Sequence, residues 1–435
     1  MKLRFIGIPA LIICAACGDR IDNGVATAPE PTNLNELARD YLFLELSMGL
    51  HDEGHVDAYF GPGEISDAAT ESQLPLVEID ALAAAMIDDL QDLSVDPDDL
   101  LQSARIKGLI HRLGALRTRI ELNQGQTIPF DEESRRLFGT AAPDHDAAHF
   151  EAILAEIDAL IPGAGDLSAR VNDFQNQFII PADRLTEVFD AAIAECRRRT
   201  LEYIELPDNE SFTLEYVNDK PWSGYNWYQG NAQSLIQINT DLPTFISRAV
   251  DLGCHEGYPG HHTFNALLEQ SLVLDQGWVE YSLYPLFSPQ SLIAEGSGNY
   301  GIDLAFPGEE RIDFERRKLF PLAGLDPAEA DRYYQLLELL SQLNYAGNEA
   351  ARDYLNGDID RDEAAQWLVR YSLNSEERAM QRTKFFDAYR SYVINYNLGK
   401  DMVRAYVERD APNQAARWQR FRDMLSSPML PGDLE

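Results

Sequence analysis

The chain has 435 residues, which is long enough for one or two domains with a large core. Its 45% content of hydrophobic residues indicates a globular protein rather than a disordered one. The formal net charge is −36, from 72 acidic and 36 basic residues, and this argues against nucleic acid as a partner, because nucleic-acid binding requires a basic surface. We interpret the charge as an acidic, well-solvated surface.

Residues 1–17 predict an export signal, in which a basic start precedes an apolar stretch that is too short to span a bilayer as a helix. The run from Cys14 to Cys17, with two alanines between them, resembles a bacterial lipoprotein signal. Cys17 would then be the lipidated first residue of the mature chain, and its lipid would be the only contact with a membrane. An ordinary secretory signal is the alternative, and both place the protein outside the cytoplasm. Residues 18–33 predict a flexible tether.

Residues 34–206 predict a helical N-terminal part, because apolar side chains recur there with the 3.6-residue period of a helix. Pro75 and Pro181 suit positions at helix starts, where the missing N–H group costs nothing. The predicted helices cover residues 33–50, 76–93, 98–122, 149–161 and 181 to about 205.

Two histidine pairs in this part are possible metal ligands. His51 and His55 are four residues apart, but the glycines around them predict a turn rather than a helix. His145 and His149 have the same spacing and precede a helical pattern. Neither pair has an adjacent glutamate placed to act as a general base, so we rank both below the motif at residue 255.

The pattern changes after residue 206. Residues 212–217 and 234–240 alternate as strands do, with polar side chains between apolar ones. The aromatic and Gly-rich stretch between them, residues 222–231, predicts a loop, either packed as a hairpin in a small sheet or open to a ligand.

The motif His255-Glu-Gly-Tyr-Pro-Gly-His-His262 contains three of the chain's eight histidines. Neutral imidazoles suit Zn²⁺, and a glutamate beside the metal, here Glu256, can act as a general base. In the HExxH signature the two histidines share one helix face at a spacing of four, whereas His261 follows His255 by six and would point away on an undisturbed helix. We expect the Pro-Gly step to break the helix and return His261 to the side of His255. His262 is then an outer-shell or substrate-facing residue.

These residues, followed by Glu295-Gly296 and by Tyr300, resemble the DUF885 family, whose pattern is HExxPGHH and then Glu-Gly and an aromatic residue. DUF885 is a bacterial group of uncharacterised function, placed with the gluzincin-like metallopeptidases. The resemblance is strong over about residues 230–400.

The resemblance implies a Zn²⁺ site made by His255, His261 and Glu295, with Glu256 as the general base and one metal position left for water. Glu280 is the fallback third ligand. Gly296 and Gly298 would each weaken a helix by about 1 kcal/mol, so we expect another element to approach closely there.

The same resemblance implies substrate contacts. In zincins an edge strand just before the metal helix pairs with the extended substrate backbone, and this role falls here on residues 234–239. We therefore predict that Asn231, Ser234 and His262 bind substrate.

A further element lies near the C-terminus, where the run from Tyr389 to Lys400 resembles the aromatic Tyr-Lys-x-Gly element of DUF885 proteins. Acyl transfer requires a donor for the developing oxyanion. Tyr396, Tyr392 and Arg390 are the candidates, and we assign catalysis to Tyr396 and Arg390 and substrate binding to Tyr392. Packing of these aromatic residues in the core is the alternative.

The sequence leaves one pairing open. Cys196 and Cys254 can form a disulfide in an oxidising compartment, but their separation in space does not follow from their spacing in sequence.

Taken together, these observations predict a mainly α-helical, zincin-like multi-helix domain with a small β-sheet beside the metal-binding helix, and with residues 207–435 as its catalytic part. The predicted function is that of a zinc-dependent hydrolase, a metallopeptidase acting on a peptide or a small amide. One alternative is a metal-dependent hydrolase of a non-peptide amide or ester. The other is a lipoprotein binding module with a structural zinc site.

Overall fold

A computed structural model describes residues 33–96, 98–220 and 222–435, and Asn33–Glu435 form one compact unit. The predicted signal at 1–17, with the lipidation site Cys17, and the tether up to residue 32 lie outside the described residues. The predicted architecture, a mainly α-helical domain with a small sheet beside the motif helix, is confirmed.

Helices dominate up to residue 206, as the periodicity predicts. Asn33 caps the first helix, because its side chain accepts a hydrogen bond from the backbone N–H of Asn35 at 3.0 Å. Pro75 precedes the third helix, where its missing donor is harmless. The elements are α1 (Leu34–Gly49), β1 (Val56–Tyr59), α2 (Gly63–Ser72), α3 (Leu76–Asp92), α4 (Leu100–Asn123), α5 (Phe130–Phe138), α6 (Ala147–Leu160), α7 (Leu167–Gln175) and α8 (Leu185–Leu201).

The part after residue 206 opens with three strands and then returns to helices. Its elements are β2 (Ser211–Val217), β3 (Gly224–Gly230), β4 (Gln233–Asn239), α9 (Ile246–Leu252), α10 (His261–Leu268), β5 (Leu283–Pro285), α11 (Pro289–Ala305), α12 (Glu310–Phe314), α13 (Phe320–Ala323), α14 (Ala330–Gln342), α15 (Tyr345–Asn356), α16 (Arg361–Tyr371), α17 (Glu376–Tyr389), α18 (Ile394–Glu408) and α19 (Gln414–Leu425). Three π-helical turns interrupt this part, at Gly253–Gly257, Glu269–Leu274 and Glu315–Leu319.

The sheet differs from the prediction in one respect that matters for the site. Its strand order is β2-β4-β3, with β4 parallel to β2 and antiparallel to β3. Most of residues 222–231 therefore form strand β3, which agrees with the packed hairpin and not with a loop open to a ligand. The prediction that residues 234–239 form an edge strand for substrate was wrong, because β4 is central and its backbone groups pair on both sides. A second, two-stranded sheet joins β1 antiparallel to β5.

The cores connect distant parts of the chain. The larger one combines α5–α8 with most elements after residue 206, and the smaller one is formed by α1–α4 together with Leu283 of β5. Cys196 of α8 and Cys254 form a disulfide with Cα atoms 5.5 Å apart, which answers the question that the spacing left open. In the described part of the chain, no helix combines the length and the apolar character needed to cross a bilayer.

Candidate metal centre

The motif helix breaks as predicted. Helix α9 runs into the π turn that carries His255 and Glu256, the helix is interrupted after it, and α10 begins at His261. This break needs a glycine, because a Cβ atom at Gly260 would lie 1.8 Å from the backbone oxygen of His255. The backbone N–H of Gly260 instead donates to the carbonyl oxygen of Cys254 at 2.9 Å.

This break in the helix brings the two predicted histidine ligands together. The ring centroids of His255 and His261 are 4.6 Å apart, with the planes at 83°. Glu295 reaches them from α11: its Oε2 atom lies 3.3 Å from Nε2 of His255 and 3.9 Å from Nε2 of His261. All three donor atoms lie within 4.8 Å of one another, so the structure places the predicted ligands in one group.

The three donors fit a zinc ion. Donors bound to tetrahedral zinc at about 2.0–2.1 Å lie about 3.3 Å apart, close to the spacing found here. The Oε2 atom of Glu295 is buried and has no hydrogen-bond partner in the structure, which is costly for a carboxylate unless a cation satisfies it. The opposite oxygen, Oε1, accepts a hydrogen bond from the Tyr392 hydroxyl at 2.8 Å. This bond fixes the carboxylate while leaving Oε2 directed at the histidines.

The glycines of α11 serve the close approach that their positions predict. A Cβ atom at Gly298 would lie 2.9 Å from Nδ1 and Cε1 of the His255 ring. A Cβ atom at Gly296 would lie 2.4 Å from the backbone oxygen of Gly399, where α11 packs against α18. Both glycines therefore allow α11, the helix that carries Glu295, to lie this close to the His255 ring and to α18.

The other predicted metal ligands are used elsewhere. Glu280 forms a buried two-point ion pair with Arg105, at 2.6 and 2.9 Å, so it is not the third ligand. His51 contacts the backbone oxygen of Leu74 at 2.6 Å, and His55 contacts Glu45 at 2.5 Å. The rings of His145 and His149 stack at 4.3 Å. Among the described residues, His255, His261 and Glu295 are the one group of three donors with metal-binding spacing.

Electrostatics favours a neutral imidazole at His261. Burial lowers the pKa of His261 to about 4, with repulsion from His255 adding to the effect, so its nitrogen lone pair is free near neutral pH. For His255, burial lowers the pKa, but the contact with Glu295 and the charge of Glu256 outweigh it and leave the pKa raised. Glu295 shows the opposite balance, since burial raises its pKa but the two histidines and Tyr392 lower it overall.

Glu256 lies beside this group and is buried. Burial raises the pKa of Glu256 to about 7; the charge of Glu295 acts in the same direction, and His255 opposes it. Strand β3 covers this carboxylate, since a Cβ atom at Gly224 would lie 2.8 Å from its Oε1 atom, and the Asn226 side chain donates to the Glu256 backbone oxygen at 2.6 Å. The strand beside the general-base candidate is therefore β3 and not β4.

The predicted substrate contacts on β4 and α10 are buried inside the protein. The Oγ atom of Ser234 lies 2.8 Å from Nδ1 of His262, and Nε2 of the same ring lies 3.1 Å from Glu210. His262 is fully buried, so neither ring nitrogen is available to a substrate. This corrects the substrate role predicted for both residues: the pairing joins α10 to the sheet.

Asn231 occupies the turn between β3 and β4, with a positive φ of 54°. Its backbone N–H donates to Glu269 at 2.8 Å, and its side-chain and backbone oxygens accept from Asn209. None of these contacts involves the metal group, so the structure gives Asn231 a place in a turn rather than beside the reaction centre.

The three candidates for the oxyanion donor have different surroundings. The guanidinium of Arg390 is paired with buried Glu133, at 2.7 Å from Nε, which removes it from the role. The Tyr392 hydroxyl donates to Glu295, so it holds a predicted metal ligand instead of being free to bind substrate. The Tyr396 hydroxyl has no hydrogen-bond partner among the described residues, and burial followed by the charge of Glu295 raises its pKa well above the usual range.

Asp57 and Tyr225 are not among the predicted site residues. The Tyr225 hydroxyl donates to Asp57, joining β3 to β1. Burial raises the pKa of Asp57 to about 7, and the nearby charge of Glu295 adds to the effect. Both residues come from stretches predicted as turn or loop, and the one available signal was the short alternation of residues 56–59.

No protein-family model matches the chain, so the resemblance to the DUF885 family stays a prediction. No curated protein matches it either.

Solved structures similar to this chain include two candidate lipoproteins and one peptidase. A candidate lipoprotein from Colwellia psychrerythraea has a TM-score of 0.49 at 13% identity and covers 93% of this chain and 76% of that one. A candidate lipoprotein of unknown function from Shewanella oneidensis has a TM-score of 0.39 at 11% identity, over 82% and 75% of the two chains. The M32 carboxypeptidase from Deinococcus radiodurans R1 has a TM-score of 0.37 at 14% identity, over 92% and 93%.

Proposed function

We propose that this chain is a zinc-dependent hydrolase that cleaves peptide bonds. The observation that carries the proposal is the convergence of His255, His261 and Glu295 beside the buried carboxylate of Glu256. Two imidazoles and one carboxylate are a typical donor set of catalytic zinc sites, which leave a coordination position open, whereas structural sites are closed by four protein ligands. This favours an enzyme over a binding module with a structural metal.

The proposed role of the metal is that of a Lewis acid held by three side chains. Nε2 of His255, Nε2 of His261 and Oε2 of Glu295 would hold it. A bound Zn²⁺ supplies a Lewis acid that polarises a carbonyl group and lowers the pKa of a water molecule toward about 7. The rings of His255 and His261 are not fully enclosed, with side-chain exposures of 12% and 14%.

Glu256 is proposed as the general base. It takes a proton from the attacking water and then returns that proton to the leaving nitrogen. A pKa near the working pH suits a group that must both accept and donate, and burial raises the pKa of Glu256 to about 7. Its side chain makes no hydrogen bond to the described residues, so nothing else competes for that proton.

Tyr396 is proposed as the donor to the oxyanion that develops on the attacked carbonyl group. Its hydroxyl is the free one among the three candidates, and its backbone oxygen accepts from Asn299 of α11 at 3.1 Å, which ties α18 to the helix that carries Glu295. A positioned donor of this kind is worth about 2.7–4 kcal/mol in the transition state of acyl transfer.

Strand β3 is proposed as the element that orders the substrate backbone. It ends its sheet, so one side of its backbone is not part of the β2-β4-β3 pairing, and Gly224 at its start lies against Glu256. Strand addition binds an extended peptide through main-chain hydrogen bonds. This proposal transfers the role from β4 to its neighbour.

We also propose that the protein is exported and anchored by a lipid on Cys17. The disulfide between Cys196 and Cys254 supports an oxidising compartment, because such bonds are rare in cytosolic proteins.

The test is Glu256→Gln in the full chain loaded with zinc, screened against a peptide library beside the wild type. We expect kcat/KM to fall by about 10³-fold or more with the zinc content unchanged, because the substitution removes the base but no ligand. Glu71→Gln, on exposed α2, is the control with the same chemical change. Equal activity of Glu256→Gln and wild type would refute the role of the base. Cleavage of small amides or esters without cleavage of any peptide would favour the non-peptide alternative.

A further inference from the structure

Two arginine side chains of α17, Arg378 and Arg382, form no ion pair among the residues that the structure describes. The chain has twice as many acidic as basic residues, and most of its described arginines form an ion pair. The guanidinium groups of Arg378 and Arg382 form no hydrogen bond with the described residues either, although both side chains are half-buried. In so acidic a protein, an unpaired cation away from the open surface requires an explanation.

Their spacing places both on one face of α17. Residues four apart on a helix are neighbours, and like charges in this arrangement repel by a few tenths of a kcal/mol. Burial lowers the pKa of Arg378, with repulsion from Arg248 adding to it, and burial also lowers the pKa of Arg382. The charge of Glu377 partly offsets this for Arg378, and Tyr396 does so for Arg382, but no described carboxylate forms an ion pair with either guanidinium.

Aromatic rings lie against both guanidinium groups, and one of these rings, Phe385, lies between Arg382 and Tyr396. The Arg382 guanidinium lies 4.4 Å from the ring centroid of Phe385, and that ring is 6.4 Å from the ring of Tyr396, the proposed oxyanion donor. The charge of Arg382 acts on the Tyr396 hydroxyl, lowering its pKa against the larger effect of burial. The Arg378 guanidinium lies 5.7 Å from the ring of Phe245, the residue that precedes α9.

Arg248 extends the cationic surface to the general base. It donates to the Ser223 hydroxyl at 3.2 Å, and the next residue, Gly224, lies against Glu256. Its contact with Asp251, at 3.4 Å, is long for an ion pair. We call Arg248, Arg378 and Arg382 the arginine cluster.

We propose that the arginine cluster binds a carboxylate of the substrate, an inference that rests on the proposed peptidase function. Guanidinium groups bind carboxylates through two parallel hydrogen bonds, which fixes both distance and orientation. The carboxylate comes either from the C-terminus of a peptide, which would make the enzyme a carboxypeptidase, or from an acidic side chain next to the scissile bond.

The test compares substrates that differ only in that charge. The zinc-loaded full chain is assayed on hippuryl-phenylalanine and its C-terminal amide, and on hippuryl-glutamate amide and hippuryl-glutamine amide. We expect one charged member to exceed its neutral partner by at least about tenfold in kcat/KM. A preference for the phenylalanine acid identifies the C-terminal carboxylate, and a preference for the glutamate amide identifies a side chain.

Arg382→Gln should remove most of that preference, so that the kcat/KM values for the charged and the neutral partner agree to within about threefold. Arg382→Lys should fall between, because a lysine keeps the charge but not the two-point geometry. Lys384→Gln is the matched control, since it removes one positive charge from an exposed position of the same helix. An equal loss of preference in Lys384→Gln and Arg382→Gln would overturn the proposal, because it would show a general effect of charge.

A binding measurement separates this proposal from the peptidase function. Zinc-loaded Glu256→Gln is titrated with the same four compounds by calorimetry, with and without Arg382→Gln. Tighter binding of a charged member that depends on Arg382 supports the arginine cluster even if no peptide is cleaved. Peptide cleavage with no charge preference in either pair, in rate or in binding, overturns the cluster and leaves the hydrolase intact. Zinc content and melting temperature confirm that each variant is folded.

Discussion

Two histidine–glutamate contacts in this molecule use the same side chains in different settings. His255 lies 3.3 Å from Glu295, and both keep about a tenth of their side-chain surface open to solvent. His55 lies 2.5 Å from Glu45, and both are about 1% exposed. The first contact has a further imidazole nitrogen at 3.9 Å from the same carboxylate oxygen, whereas the second has no third donor with metal-binding spacing among the described residues.

The difference lies in the backbone that presents the groups. The open group, formed by His255, His261 and Glu295, depends on a π turn, on the helix break at Gly260 and on the missing side chain of Gly298. Together these let three separate segments converge. The buried pair joins α1 to the start of β1, among the apolar side chains of the smaller core. A metal site therefore requires convergence and access, and the presence of histidine beside glutamate is not sufficient.

The largest expected effect comes from removing a proposed ligand of the open group. His261→Ala removes one of three proposed ligands, so zinc should fall from about one ion per chain to almost none, with peptide hydrolysis reduced by about 10³-fold or more. Metal content by mass spectrometry is the measurement. His262→Ala is the control, because its ring contacts Ser234 and Glu210 instead, and it should retain zinc. Full zinc in His261→Ala would contradict the ligand assignment.

A smaller effect breaks the buried pair. His55→Ala leaves the Glu45 carboxylate buried without its partner, so the free energy of unfolding should fall by about 3 kcal/mol while the zinc content stays the same. Urea unfolding followed by circular dichroism measures the change. His51→Ala, at an exposed position, should cost less than about 1 kcal/mol. Loss of zinc from His55→Ala at unchanged stability would contradict the claim that His55 belongs to a buried structural pair and not to the metal group.

The smallest expected effect comes from Tyr392, whose hydroxyl holds the Glu295 carboxylate of the open group. Tyr392→Phe removes the hydrogen bond to Oε1 of Glu295 and keeps the ring, so zinc affinity should fall by about ten- to a hundredfold. Competition with a chelator of known affinity measures it. The control is Tyr389→Phe, because that hydroxyl has no hydrogen-bond partner among the described residues, and its ring lies 6.0 Å from the Tyr392 ring. Equal affinities of the two variants would show that Tyr392 is not a support.

The sequence predicted well what depends on near neighbours. Helices α1, α3, α4 and α6 begin and end within about two residues of the predicted bounds, because periodicity and capping act within one or two turns. The Pro-Gly break and the close approach at Gly296 and Gly298 were also readable, because each concerns the shape of one short segment.

Prediction failed where the partner of a side chain lies far along the chain. Arg390 pairs with Glu133, 257 residues away, and Glu280 pairs with Arg105, 175 residues away. The pattern of residues around each gives no indication of these partners. Strand β3 was assigned to a loop for the same reason, since its glycines and aromatic residues form a strand only when β4 lies beside them.

By itself, then, the sequence determined helices α1, α3, α4 and α6 and the break before His261, because these follow from local geometry. The three donor residues came from the resemblance to the DUF885 family. The tertiary structure alone decided that β4 is central, that His262 is enclosed between Ser234 and Glu210, and that the Tyr396 hydroxyl stays free. Each of those outcomes depends on which distant groups compete for the same hydrogen bonds once the chain has packed.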